Sequence, residues 1–238
     1  MRIASKICAQ AHELLARHIR PGITTGELDK IAHDFILSQD ATPTFLGYRG
    51  FPATLCTSVN DEVIHGIPGI RRLKSGDIVS IDLGVCYKKF HGDAARTHAV
   101  GEISSEHSCL IETTERAFFE AVKFAKAGLR LHDLSAAIED FVDTKGFSVV
   151  TEWCGHGIGR QLHEDPSVPN TRQEKRGPRL CRGMTLAIEP MINIGGSAVK
   201  TCDDTWTIVT QDGSFSAHYE NTILITDGEP DILTLLGG

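Results

Sequence analysis

The chain has 238 residues, of which 41% are hydrophobic and 23% charged, and a formal net charge of −7. That length can bury a core, and the composition excludes disordered, collagenous and coiled-coil chains. The acidic balance argues against a broad nucleic-acid face, no apolar run reaches the ~18 residues of a membrane helix, and the first residues lack the apolar core of a signal peptide. Seven scattered cysteines, none spaced C-x-x-C, speak against a disulfide framework or a zinc knot and for a reducing compartment, the cytoplasm.

In chain order, apolar spacing predicts a first amphipathic helix over residues 3–19, with Ile7, Ala11, Leu14, Leu15 and His18 on or near one face. No capping residue precedes it, as would hold if a short leader came before Met1. Pro21-Gly22 ends it. Thr24 or Thr25 caps a second helix through Leu28, Ile31, Phe35 and Ile36, and Thr24 with Glu27 three residues on fits a capping box. A Gly/Pro-rich stretch over 43–52 leads into strand-like segments that run to about Gly101. Helical periodicity returns over 105–126 and 131–145, and residues 147–236 are short apolar runs broken by Gly and Pro. No linker divides the chain, so one α+β domain over 1–238 is expected.

Helices, strands, helices, strands is the order a duplication leaves. Gly22 falls opposite Gly128, Leu28 opposite Leu134, Asp34 opposite Asp140 and Phe35 opposite Phe141. Gly76-Asp-Ile-Val-Ser-Ile-Asp82 falls opposite Gly183-Met-Thr-Leu-Ala-Ile-Glu189, and His91-Gly-Asp93 opposite His218-Tyr-Glu220. Glycine turns and apolar helices often look alike by chance. Here a carboxylate meets a carboxylate twice, in order, which favours a two-fold repeat.

Ile78 to Val85 alternates: Val79, Ile81, Leu83 and Val85 share one face, and Ser80, Asp82 and Gly84 the other. Residues 90–100 can return as its hairpin partner. A turn centred on Tyr87-Lys88 would set Asp82 directly opposite Asp93, with Cβ atoms about 5 Å apart. Bare carboxylates that close call for a proton or a cation between them. The turn lacks Asn-Gly or Asp-Gly, so a looser loop is expected. In the second copy Leu186 and Ile188 share a face, Thr185, Ala187 and Glu189 the other, and Glu220 lies in a partner strand over 215–225. His156 sits between Gly155 and Gly157, which admit close backbone. Gathered about a pseudo-two-fold axis, Asp82, Asp93, His156, Glu189 and Glu220 are an oxygen-rich set with one imidazole, suited to Mn, Fe(II), Co or Zn. Taken singly, each acid reads as a solvated strand face and His156 as a hydrogen-bonded structural residue. His65 and His163 read as exposed loop residues, and Cys56 and Cys154 as buried fillers. It is the coincidence of all five that argues for metal.

Asn60-Asp-Glu-Val-Ile-His-Gly-Ile-Pro68, Ser80-Ile-Asp-Leu83, Phe90-His-Gly-Asp93, Gly155-His-Gly-Ile-Gly159, Leu162-His-Glu-Asp-Pro166, Ala187-Ile-Glu-Pro190 and His218-Tyr-Glu-Asn-Thr222 together resemble the type I methionine aminopeptidase family. The resemblance runs from the first helix to about Thr226. It implies a pita-bread fold with two related halves around a dinuclear metal site. It further implies a metal-dependent aminopeptidase that removes the initiator methionine from new proteins when the second residue is small. Asp82 resembles the chelating aspartate of one metal, Asp93 and Glu220 the bridging carboxylates, and His156 and Glu189 the ligands completing the other. Glu189 also resembles the proton-transfer residue, and His65 and His163 the two non-ligand histidines that contact substrate. In the implied mechanism a metal-bridging hydroxide attacks the scissile carbonyl and the substrate's α-amine binds one metal.

Tyr48, Phe51, Cys56 and Trp206 fall where the family has its methionine-pocket wall. Phe45 stands where some members have cysteine, and Leu162 where some have phenylalanine. Ordinary core packing accounts for Phe45 equally well. Nascent N-termini are the implied partners, with the ribosome as the docking candidate; a monomer in the cytoplasm is expected, with no membrane and no specific nucleic acid. The residues do not choose among the four metals. A metal-free pita-bread binding module and a prolidase-like peptidase are the competing readings. The first is disfavoured because all five ligands and both histidines are present, the second by length and motif detail.

Overall fold

The computed structural model describes residues 1–236. The order is two helices, a hairpin, two helices and a further set of short strands. Helix α1 is Arg2–Ala16 and α2 is Thr25–Ser38. Helix α3 is Ser105–Val122 and α4 is Leu131–Asp143. Helix α1 stops three residues short of Ile19, and the chain leaves through turn bonds from the His18 and Ile19 N–H groups to the Leu15 carbonyl. At the start of α2 the capping box forms: Thr24 Oγ1 accepts from the Glu27 N–H at 3.1 Å, and the Glu27 carboxylate accepts from the Thr24 N–H at 2.7 Å. Two N–H groups of that first turn are thereby satisfied.

The helices cover one face of a nine-stranded antiparallel sheet. Strands Ile78–Tyr87 and Phe90–Ala99 form the first half, Glu220–Leu224 and Thr185–Ile188 the second. The halves meet where Phe90–Ala99 pairs with Glu220–Leu224. Val79, Ile81, Leu83 and Val85 pack into one core with Leu15 of α1 and Leu28 of α2. Leu186 and Ile188 pack into a second with Phe118 of α3 and Leu134 of α4. Each such fully buried Leu or Ile contributes ~1.5–3 kcal/mol. Two cores, one under each helix pair, are the packing counterpart of the repeat in the sequence. The opposite face of the same strands is left for polar side chains.

Two expectations need correcting. The hairpin register differs from the one drawn from the sequence. Asp82 lies opposite Ala95, and Asp93 opposite Gly84, so the carboxylates are diagonal neighbours on one face. The turn is tighter than expected. Tyr87 pairs with Phe90, and Lys88 and Lys89 form a two-residue loop with φ of 50° and 67°. Positive φ at both central positions is the type I′ geometry, whose twist matches the flanking strands even without glycine. The second change is that residues 215–225 are not one strand. Ser216–His218 pairs with Met191–Asn193, while Glu220–Leu224 joins the main sheet, and Tyr219 lies between them.

A candidate dinuclear metal centre

All twelve residues singled out from the sequence line one cavity of about 280 Å³. Asp82, Asp93, His156, Glu189 and Glu220 are its acidic floor. His65 and His163 are its polar flanks, and Tyr48, Phe51, Cys56, Leu162 and Trp206 lie at its apolar end, with Phe45 beside them.

The floor is built by the strands. Asp82 and Asp93 project from the first hairpin. Asn221 stands opposite Ile188, which sets Glu220 and Glu189 at the end of the matching ladder. The two halves are fastened by Thr222, whose Oγ1 accepts from the Asp93 N–H and donates to the Asp93 carbonyl, both at 2.9 Å. His156 comes from the strand Gly155–Gly157. A Cβ on Gly155 would stand 2.3 Å from the Ala187 carbonyl oxygen, and one on Gly157 2.2 Å from that of Asp165. Only glycine admits those approaches on either side of His156.

Ligand atoms of Asp93, His156 and Glu220 come within 4.8 Å of one another. Asp82 and Glu189 line the same cavity but stand outside that tightest group. Glu189 Oε1 lies 3.6 Å from His156 Nε2. His156 Nδ1 is 2.8 Å from the Gly157 carbonyl, so that nitrogen carries the proton and Nε2 presents its lone pair.

Asp82 Oδ1, Asp93 Oδ1 and Glu220 Oε1 are shielded from solvent without any hydrogen-bond partner. Burial first, and then the neighbouring carboxylates, push Asp82, Glu189 and Glu220 well above the usual carboxylate range, and burial pushes Asp93 up to about 7. Four acids of like charge, three of them with orphaned oxygens, are unfavourable alone. The donor set suits divalent ions, which would supply the missing charge and bonds at once.

His65 is held in the left-handed region, φ 61°, and meets Trp153 edge-on with ring centres 5.1 Å apart. Burial lowers its pKa to about 4. His163 stands at the open rim, its ring centre 4.2 Å from that of His156. Its pKa is also held at about 4, by desolvation and then by His156 and Arg49. Both rings are therefore neutral at pH 7. The Tyr48 hydroxyl lies 2.7 Å from His163 Nδ1. A phenol donating there leaves His163 Nε2 as the N–H that can serve a ligand.

At the apolar end Phe51 meets Trp206 edge-on at 5.1 Å between ring centres. Cys56 is buried beside them, but Cys154, expected as a buried filler, is exposed and lines the cavity. All seven cysteines are free. Sequence reasoning also passed over Trp153, although an aromatic three residues before His156 was a usable signal. His218 entered there as the counterpart of His91 and as the first residue of the His218–Thr222 motif, without a role of its own. Those two differ: His91 is half buried with Nδ1 2.9 Å from Thr44 Oγ1, whereas His218 is fully enclosed next to Glu189. No helix among the described residues is long and apolar enough to cross a membrane.

Residues 1–227 match the model of metallopeptidase family M24. The chain is 56% identical over 236 residues to a methionine aminopeptidase of Clostridium perfringens, covering 99% of this chain and 95% of that protein. It is 52% identical to methionine aminopeptidase 1 of Bacillus subtilis, covering 98% and 94%. The crystal structure of methionine aminopeptidase from Thermotoga maritima superposes with a TM-score of 0.97 at 42% identity, covering 99% and 95%. The fold expected from the sequence is the one found.

Proposed function

The chain belongs to metallopeptidase family M24, and on that premise we propose that it is a metal-dependent aminopeptidase that removes N-terminal methionine when the second residue is small. The observation that carries this reading is the convergence of five metal-type ligands, two neutral histidines and an apolar slot on one cavity.

Asp82, Asp93, His156, Glu189 and Glu220 would hold two divalent ions, with Asp93 and Glu220 shared between them. When bound, those ions supply a nucleophile from water at neutral pH and polarise the scissile carbonyl. The rest of the chemistry falls to side chains of the chain itself. His65 and His163, kept neutral, donate N–H groups toward the oxygen that gains charge in the transition state. Glu189, a carboxylate on the acidic floor of the cavity, takes the nucleophile's proton and returns it to the leaving nitrogen. The unbranched thioether of methionine fits between Phe51, Cys56, Leu162 and Trp206. The second residue must be small because His65 and His163 flank the bond to be cut.

In this reading residues 1–238 work as one catalytic unit, a cytoplasmic monomer acting on nascent N-termini, with the ribosome as its docking partner. Hydrolysis of Met-Ala-Ser and of an Ala-Pro peptide, each with and without added Mn(II) or Co(II), tests it. Metal-dependent cleavage of the first alone is expected. Cleavage of the Ala-Pro bond alone would replace this reading with the prolidase-like one.

A further inference from the structure

His218 is the fully enclosed histidine that the chemistry above leaves without a task. It closes the strand Ser216–His218, and its backbone is clamped by one threonine: the His218 N–H donates to Thr97 Oγ1, which donates in turn to the His218 carbonyl, both at 2.9 Å. That fixes the backbone from which the ring projects, and the ring itself is buried. Both ring nitrogens are shielded from solvent and neither has a hydrogen-bond partner. A buried polar group left so costs free energy and calls for an explanation. The acid facing it is Glu189: His218 Nε2 lies 3.8 Å from Glu189 Oε2, on the side of the carboxylate away from His156. That spacing is just too long for a hydrogen bond and within reach of a small carboxylate rotation. His218 does not line the cavity, so it acts from behind Glu189 rather than on a substrate.

We propose that His218 is a positioning residue, whose Nε2–H donates to Glu189 Oε2 and fixes that carboxylate in the orientation that metal binding and proton transfer require. An acid that gives one oxygen to a metal needs a donor on the other, or its orientation is left to chance. Among the described residues no side chain hydrogen-bonds the Glu189 carboxylate; His156 Nε2 stands 3.6 Å from its Oε1, and its main-chain carbonyl accepts from Asn170 Nδ2 at 3.0 Å. The inference rests on the proposed role of Glu189, and the test separates the two.

Glutamine places a side-chain N–H near the position of a histidine Nε2, and asparagine near that of Nδ1. His218→Gln and His218→Asn are therefore a matched pair of neutral, polar replacements that differ in where the donor stands. Mn(II) affinity of the stripped protein is measured by calorimetry, and kcat and KM on Met-Ala-Ser separately. Expected for His218→Asn is metal affinity weaker by about tenfold, kcat lower by a similar factor and KM within about twofold. His218→Gln should restore both affinity and kcat to within about threefold of the parent. His218→Leu, with no donor, should follow Asn if it folds by circular dichroism; the Gln and Asn pair decides the matter without it. Equal behaviour of Gln and Asn, or an unchanged metal affinity and kcat in both, overturns the proposal. The calorimetry arm stands even if Met-Ala-Ser proves not to be a substrate, which would instead overturn the reading of the activity.

Discussion

Raising the pH on the metal-free chain should destabilise it, and the structure gives the sign and size. Asp82, Asp93, Glu189 and Glu220 have folded-state pKa values above their unfolded ones, so above the ordinary carboxylate pKa the folded state binds more protons than the unfolded state. Stability then falls as pH rises toward and through those folded values. The buried histidines act in the opposite sense. His65 and His98 are held at about 4 and His218 at about 3, so folding expels their protons, and stability rises with pH until about 6.5. Above that the histidines are silent and the carboxylates alone set the slope. Each proton retained by the folded cluster costs about 1.4 kcal/mol per pH unit. Asp93 alone, releasing its proton near pH 7, makes the loss from pH 6.5 to 8 about 1 kcal/mol, and the other raised carboxyls act in the same direction. In a chain of this size that lowers Tm by on the order of 2–4 °C. Urea unfolding in chelator at pH 6.5, 7.25 and 8, repeated with excess Mn(II), reads it directly. The falling limb should appear without metal and vanish with it, because ligated carboxylates are already deprotonated. Stability that is flat or rising over that range in chelator would refute the reasoning.

His65→Ala and His163→Ala should each retain both metals and lose turnover by about a hundredfold, the equivalent of about 3 kcal/mol of transition-state stabilisation; loss of metal by calorimetry would make that histidine a ligand instead. In a peptide panel scored by mass spectrometry, Met-Gly, Met-Ala and Met-Ser ends should be processed while Met-Lys and Met-Phe ends survive. Leu-Ala should be cleaved far more slowly than Met-Ala, because leucine branches early and meets Phe51 or Cys56; comparable rates would remove the methionine slot and leave the peptidase chemistry standing.

Much of the fold is legible in local chemistry. The capping box at Thr24 is written in two side chains, and the alternation from Val79 to Val85 predicts which residues meet the helices. The repeat was visible because both copies place an acid on the polar face of a strand. Register was not legible, because it depends on turn geometry. Lys88 and Lys89 adopt positive φ without the usual Asn or Gly, which moved the pairing by two residues while leaving Asp82 and Asp93 on one face. The break at Tyr219 was hidden for a similar reason. A strand-like stretch over 215–225 does not reveal that its two parts join different sheets. In the site, ligand residue types could be read from the chain. The burial that leaves His218 enclosed and Cys154 exposed comes from long-range packing, which spacing does not encode.

One acidic cluster is proposed to hold the metals on which turnover depends. The most direct measurement titrates the chelator-stripped chain with Mn(II) while Met-Ala-Ser hydrolysis is followed, alongside Asp93→Ala and Glu220→Ala. Expected are no turnover in the stripped chain, activity that climbs with added metal and is complete by two equivalents, and neither activity nor two-ion binding in either variant. Full hydrolysis by the stripped chain, or a parent-like titration in either variant, would contradict it.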